Sequence, residues 1–180
     1  NLVVAFCVLI SAGGATISSI RLGQKDIKGA TDVLGNTLML CLTNAVLFGG
    51  LAYLFLDPIL FFFGASSGTL PYARDFMQVI LLGTPITYTM IGLNNVMRAT
   101  GYPRKAMLTS LVTVIANVII APVFIFHFGW GIRGAAMATV LSQFIGMIWV
   151  VSHFRNKESF VHFMPGFWKM KKRIIGSIFS

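Results

Sequence analysis

The chain has 180 residues, of which 56% are hydrophobic, 13% aromatic and only 11% charged; its mean hydropathy is +0.82. A soluble domain carries roughly 25% charged residues, so this composition excludes a disordered chain, a coiled coil and an ordinary soluble enzyme. The formal net charge is +9, but the basic residues punctuate apolar runs instead of covering a solvated domain, which argues against a nucleic-acid partner.

Five stretches lack Asp, Glu, Lys and Arg: 1–20, 33–56, 76–97, 106–132 and 134–154. A bilayer-spanning helix needs about 20 mostly apolar residues, and all five reach that length. They predict an all-α, polytopic membrane helix bundle in residues 1–154, with spanning helices at about 1–20, 34–56, 75–96, 106–127 and 133–154. The partner of such a surface is the lipid bilayer. A sixth uncharged stretch, 58–73, has 16 residues and carries Pro58, Gly64, Ser66, Ser67, Gly68 and Pro71, so it reads as an interfacial turn and loop.

In chain order, the first helix ends in a small, polar stretch, Ser11, Gly13, Gly14, Ala15, Thr16, Ser18 and Ser19, which allows close helix approach. The second carries Asn36, Thr43 and Asn44, whose spacing places them on one face. The third contains Pro85, which removes a backbone donor and predicts a kink; Thr84, Tyr88 and Asn95 share one side of it. The fourth has Thr113, Asn117 and Ala121 four residues apart, then Pro122. The fifth spaces Gly134, Ala138, Ser142 and Gly146 every four residues, a small-residue packing seam, with Thr139 and Gln143 at its border. Residues 155–173 mix Phe160, Phe163, Phe167 and Trp168 with Lys169, Lys171, Lys172 and Arg173. They read as a basic interfacial linker on the cytoplasmic leaflet. Residues 174–180 read as the start of a further spanning helix.

Lys and Arg mark the cytoplasmic side of short loops. The 21–35 loop, the 98–105 loop and the tail after 154 hold twelve of them, against Arg74 and Arg133 in the alternate loops. The twelve-charge side is therefore expected inside, which puts Asn1 outside. A run that starts outside without a basic leader or Met reads as beginning after another helix, an interior piece of a larger membrane protein.

Catalytic and metal chemistry has no pattern to rest on. His127, His153 and His162 lack ligand spacing, no nucleophile elbow or phosphate-binding loop is present, and Cys7 and Cys41 read as buried thiols. Asp26, Asp32, Asp57, Asp75 and Glu158 all fall outside the middle of the spans. What lies mid-membrane is neutral: Asn44, Thr84, Tyr88, Asn117, Thr139, Ser142 and Gln143. Such groups line a wet cavity or glue helices together, and the pattern alone leaves both open.

Three segments, in this order and spacing, resemble the multidrug and toxic compound extrusion family of secondary transporters. The first runs Ile10-Ser11-Ala12-Gly13-Gly14-Ala15-Thr16-Ile17-Ser18-Ser19-Ile20-Arg21-Leu22-Gly23-Gln24-Lys25-Asp26, followed by Ala30. The second is Asn94-Asn95-Val96-Met97-Arg98-Ala99-Thr100-Gly101. The third is Gly131-Ile132-Arg133-Gly134-Ala135-Ala136-Met137-Ala138-Thr139-Val140-Leu141-Ser142-Gln143.

The resemblance implies a twelve-helix, two-lobe antiporter of a bacterial inner membrane. This chain would supply helices two to six of the N-terminal lobe and the lobe linker. It further implies export of small cationic amphipathic compounds by alternating access, driven by a coupling cation, H+ or Na+, with no resident cofactor. Asn94, Asn117 and Thr139 match polar positions of the family. Together with Gln143, Thr113, Tyr88 and Asn44 they form the expected substrate and ion cavity, with Pro85 and Pro122 as helix hinges. Ala121 stands where some members have an Asp, and Phe76 where some have a Tyr. The coupling-ion site is therefore expected outside this stretch. The alternatives are a flippase for lipid-linked oligosaccharides of the same superfamily, or an inactive, truncated membrane fragment.

Overall fold

The computed structural model describes residues 2–66, 68–155 and Val161; most of the expected linker and the whole of 174–180 lie outside the described residues. Seven α-helices follow one another: α1 (Leu2–Gly23), α2 (Ile27–Leu54), α3 (Leu56–Phe62), α4 (Leu70–Leu82), α5 (Thr84–Ala99), α6 (Pro103–Pro122) and α7 (Gly131–Arg155). One wider, π-helical turn, Val123–His127, joins α6 towards α7. No strand occurs among the described residues. Three helices are long and apolar enough to cross a bilayer: α2, α6 with its π-helical extension, and α7. α4 and α5 are together long and apolar enough for a fourth, with a bend of 53° between them. The 22 residues of α1 rise about 33 Å at 1.5 Å per residue.

Helix ends follow local chemistry more than the limits of the uncharged runs. Lys25 takes φ 61 and closes α1, with Asp26 N–H donating to Arg21 O at 2.9 Å and Lys25 N–H to Leu22 O at 3.0 Å. The Asp26 carboxylate then accepts from Gly29 N–H at 2.9 Å and caps α2. α2 therefore begins at Ile27, ahead of the expected 34, and carries Lys28 and Asp32 in its first turns. Gly101 ends α5 at φ +96, where a side chain would be strained, and Tyr102 N–H closes the turn on Met97 O at 3.2 Å. The expected loop at 58–73 contains instead part of the two-turn α3 and the start of α4. The Arg74 guanidinium lies 3.4 Å from the Asp57 carboxylate and ties these two together.

The predicted bend at Pro85 is present, with the break two residues earlier, at Gly83. Pro85 sits in the first turn of α5, where its missing N–H is tolerated. Threonine hydroxyls serve carbonyls around the break: Thr84 donates to Ile80 O at 3.2 Å and Thr87 to Gly83 O at 3.3 Å. Pro122 likewise withholds the N–H that Val118 O would receive. The chain widens there into the π turn, closed by Phe128 N–H to Val123 O at 3.0 Å.

The helices pack where one of them has no side chain. Gly14 of α1 faces the Thr37 side chain of α2, and Gly146 of α7 faces Thr113 of α6. A Cβ on Gly92 of α5 would lie 2.9 Å from Cys41 Sγ, and one on Gly134 of α7 2.7 Å from Phe124 O. The small-residue seam of α7 holds, since Gly134, Ala138, Ser142 and Gly146 are all buried. On α2 the inward stripe runs through Leu34, Thr37, Cys41, Asn44 and Ala45. Of the three polar residues expected on one face of α2, Asn36 and Asn44 are buried and Thr43 lies at the exposed edge of that face. Thr43 is exposed and donates to its own helix at Met39 O.

Two apolar clusters result. One joins Cys7, Ile10, Val33, Cys41, Ala45 and Tyr88 of α1, α2 and α5. The other joins Ala30 and Leu34 of α2, Val96 and Met97 of α5, Ala106 of α6, and Val150 and Phe154 of α7. The second gathers the α1–α2 turn, the α5–α6 turn and the end of α7 at one end of the bundle. That end carries Arg21, Lys25, Lys28, Arg98, Arg104, Lys105 and Arg155. Arg74 and Arg133 belong to the other end, each beside an aspartate, with Arg133 2.7 Å from Asp75.

The Gly14–Thr37 contact sets how closely α1 lies on α2. Gly14→Ala should destabilise the protein by roughly 1–3 kcal/mol, the usual cost of overpacking. Thr37→Ala in the same chain should recover most of the loss, because the two changes act on one contact. Thermal unfolding in detergent of the two single variants and the double variant checks this; an additive double variant would contradict it.

Candidate functional site

The predicted polar residues do not form one cavity; the structure divides them into three groups. The first lies on the seam between α6 and α7. Asn117 Nδ2 donates to Thr139 Oγ1 at 3.4 Å and to Ser142 Oγ at 3.5 Å. Both hydroxyl protons are committed within α7, Thr139 to Ala135 O at 3.0 Å and Ser142 to Thr139 O at 2.8 Å. Their oxygens can therefore only accept, which fixes the amide orientation of Asn117 and leaves its Oδ1 as an open acceptor. One turn beyond Thr139, Gln143 Oε1 is buried with no hydrogen-bond partner. One turn before Asn117, Thr113 lies buried against Gly146, its hydroxyl donating to Thr109 O at 2.8 Å.

Helix geometry places this group away from the helix ends: Asn117 is about 21 Å along α6 from Pro103, and Thr139 about 12 Å along α7 from Gly131. The seam thus presents the buried, unpartnered Oε1 of Gln143 and, on the half-buried Asn117, an Oδ1 with no described hydrogen bond. A buried amide acceptor without a partner carries a desolvation cost of roughly 1–3 kcal/mol, which a donor, a cation or water would relieve. Ala121, one turn further along α6, is half-buried and adds no polar group.

The second group lies between α1, α2 and α5. Tyr88 is 1% exposed, packed among Cys7, Ile10, Val33, Cys41 and Ala45, and its hydroxyl has no partner. Cys7 Sγ is 3.8 Å from Cys41 Sγ; both are free thiols. Asn44 is buried with Oδ1 unpartnered. Neither Tyr88 nor Asn44 bonds to the Asn117 group.

Asn94, the third, is a strut. Its Nδ2 donates to Ala106 O at 3.0 Å, and its Oδ1 accepts from Arg98 Nη2 at 3.3 Å. The side chain is satisfied on both atoms and pins the end of α5 to the start of α6, near the basic end of the bundle. Its neighbour Asn95 donates to Ser11 Oγ at 2.7 Å and ties α5 to α1. Sequence reasoning placed Asn95 on a shared face but missed that bond; it counted Ser142 among the neutral mid-membrane groups but left it out of the expected cavity. The three-residue step from Thr139 to Ser142 was the available signal for the latter. Among the described residues, no three of His, Cys, Asp and Glu come together.

The MatE family model matches residues 1–123. The chain is 29% identical over 176 residues to the multidrug export protein MepA of Staphylococcus haemolyticus strain JCSC1435, covering 98% of this chain and 39% of that protein. Its fold matches an inward-facing multidrug resistance MATE family transporter of the MOP superfamily with TM-score 0.91, at 24% identity, over 98% of this chain and 40% of that one. The outward-facing conformation of such a transporter matches with TM-score 0.90 at 24% identity, over 98% and 39%. The chain spans about two fifths of the length of these relatives. Its ordered motifs, its helix bundle and the family match agree, and the chain belongs to the MatE family of multidrug and toxic compound extrusion transporters.

Proposed function

We propose that this chain is part of one lobe of a secondary multidrug exporter, a transporter and not an enzyme. It moves small cationic amphipathic compounds outwards in exchange for H+ or Na+. The observation that carries this reading is the α6–α7 seam, where Gln143 Oε1 is buried without a partner and the half-buried Asn117 turns its amide N–H groups to Thr139 and Ser142, leaving Oδ1 with no described hydrogen bond. Open amide oxygens suit a cation that must bind and then leave, since they attract it without the full strength of a carboxylate. Alternating access proceeds by movement of whole lobes. The nearly equal likeness of this fold to inward-facing and outward-facing transporters supports a lobe that keeps its shape between states.

A flippase for lipid-linked oligosaccharides would need cationic side chains inside the bundle to hold a pyrophosphate. Among the described residues every Lys and Arg lies at a helix end or in a turn, which favours the exporter. The basic end faces the cytoplasm of a bacterial inner membrane, in keeping with the concentration of Lys and Arg there.

Dye efflux tests the reading. Pump-deficient cells expressing the complete gene should extrude a fluorescent cationic dye, and efflux should stop when either the proton or the sodium gradient is collapsed. A well-inserted protein that extrudes no dye would move weight to the flippase.

Two substitutions separate site from strut. Asn117→Leu should lower efflux about fivefold, the worth of one hydrogen bond of roughly 1 kcal/mol, with little change in melting temperature. Asn94→Leu should do the reverse, lowering the melting temperature while leaving the dye concentration for half-maximal efflux unchanged. Full efflux from a well-expressed Asn117→Leu variant would remove that residue from the site.

Single cysteines placed in a Cys7→Ala/Cys41→Ala background give the orientation. Lys25→Cys should react with a membrane-impermeant maleimide only in inverted vesicles, and Gly64→Cys only in intact cells; the opposite pattern would invert the topology.

A further inference from the structure

A groove between the first turn of α6 and the last turns of α7 lies outside everything described above. It encloses about 380 Å³ and is lined by Lys105, Leu108, Trp149, Ser152 and His153. Its polar wall is an ordered stack. The Lys105 ammonium lies 5.1 Å from the centroid of the Tyr102 ring, and Tyr102 meets the His153 imidazole edge-on at 4.7 Å. Lys105 makes no ion pair with an acid among the described residues. The other wall is apolar and open to the surroundings: Leu108 is 43% exposed and Trp149 46%, and Leu111 and Ile148 continue that surface towards the middle of the helices.

The groove therefore has two chemistries, arranged along the membrane normal. At the basic end of the bundle stand an uncompensated ammonium, a hydroxyl and an imidazole. Half a turn to a turn deeper stand an indole and aliphatic side chains. Tryptophan favours the headgroup boundary, which sets the depth of the groove. A basic pocket between spanning helices at that depth suits a phosphate group carried on acyl chains. A soluble anion would use only the polar half. A zwitterionic lipid would bring its own cation against Lys105.

We propose that this groove binds an anionic glycerophospholipid. The lipid phosphate sits against Lys105, with Ser152 and His153 as further donors, and an acyl chain lies over Leu108 and Trp149. The placement in the cytoplasmic leaflet rests on the orientation proposed above; the site and its ligand chemistry do not.

Trp149 is its own reporter. In the complete protein, with Trp130→Phe, Trp168→Phe and any tryptophan outside these 180 residues replaced likewise, Trp149 is the one indole, and the protein is placed in nanodiscs containing brominated phosphatidylglycerol or brominated phosphatidylcholine. Phosphatidylglycerol should quench Trp149 with an apparent affinity about fivefold higher, the contribution of one lysine near the membrane surface. Lys105→Gln should abolish the difference while leaving quenching by phosphatidylcholine unchanged, which also shows that the variant is folded with Trp149 still on lipid. Lys105→Arg should retain the difference. Saturating inorganic phosphate should not relieve quenching by phosphatidylglycerol. Equal quenching by the two lipids in the Lys105 chain would overturn the proposal in favour of annular contact only. A preference that survives Lys105→Gln, or one that inorganic phosphate competes away, would overturn it in favour of a diffuse charge effect or a soluble-anion site.

Discussion

Between helices in a bilayer there is no hydrophobic force, because lipid is as apolar as the side chains it would replace; backbones must come close enough for van der Waals contact and a few hydrogen bonds to hold them. Four helix contacts in this chain answer to that constraint. Gly14 receives Thr37, Gly92 receives Cys41, Gly146 receives Thr113, and Gly134 receives the backbone of Phe124. Each contact joins a different pair of elements, and each uses a residue without a Cβ on one side. The small residues of α1, α5 and α7 thus decide the arrangement, while the large apolar side chains of α6 mostly face outwards.

The polar side chains divide labour by type. Thr16, Thr43, Thr89, Thr109, Thr113 and Thr139 all donate to the carbonyl four residues back in their own helix, and Thr84 does the same across the α4–α5 break. A hydroxyl bound in that way has no proton left for a neighbour. The described side-chain bonds that cross from one spanning helix to another, leaving out thiol contacts and the Arg133–Asp75 pair, come instead from asparagine: Asn94 to Ala106 O, Asn95 to Ser11, and Asn117 to Thr139 and Ser142. An amide has two N–H donors to a hydroxyl's one and a longer reach, so it can bridge where a hydroxyl does not, although Asn36 donates locally, to Asp32 O at 2.7 Å. Asn94 and Asn95 thereby hold α5 in the centre of the bundle. Asn117 differs because it keeps an acceptor open.

Much of this was legible in advance, for physical reasons that also mark where legibility ends. Uncharged length reports the thickness of the bilayer, so the helices of the bundle and the α7 seam could be read directly. Helix ends could not, because a charged first turn at the headgroup level costs little. Asp26 capping α2, with Lys28 and Asp32 riding inside the helix, erases the boundary that charge counting looks for. The bend at α4–α5 was signalled by Pro85, yet its place was set by Gly83, which lies against the Val140 side chain of α7. The candidate site was legible only as a list. Asn94 and Asn117 look alike in sequence; one is satisfied on both atoms by groups 4 and 12 residues away, the other reaches across 22 and 25 residues to a helix whose register no local pattern reveals.

Charge is segregated with equal sharpness, and this limits how the seam can attract a cation. The end carrying Arg74 and Arg133 is balanced by Asp57 and Asp75. The opposite end is net positive and lies about 21 Å from Asn117 along α6. Neither end, then, supplies a field of the right sign at the seam. A cation seated there would be held by what it touches, and what the seam offers is Asn117 Oδ1 and Gln143 Oε1. With Ala121 adding no charge, any attraction the seam exerts on a cation rests on neutral oxygens alone.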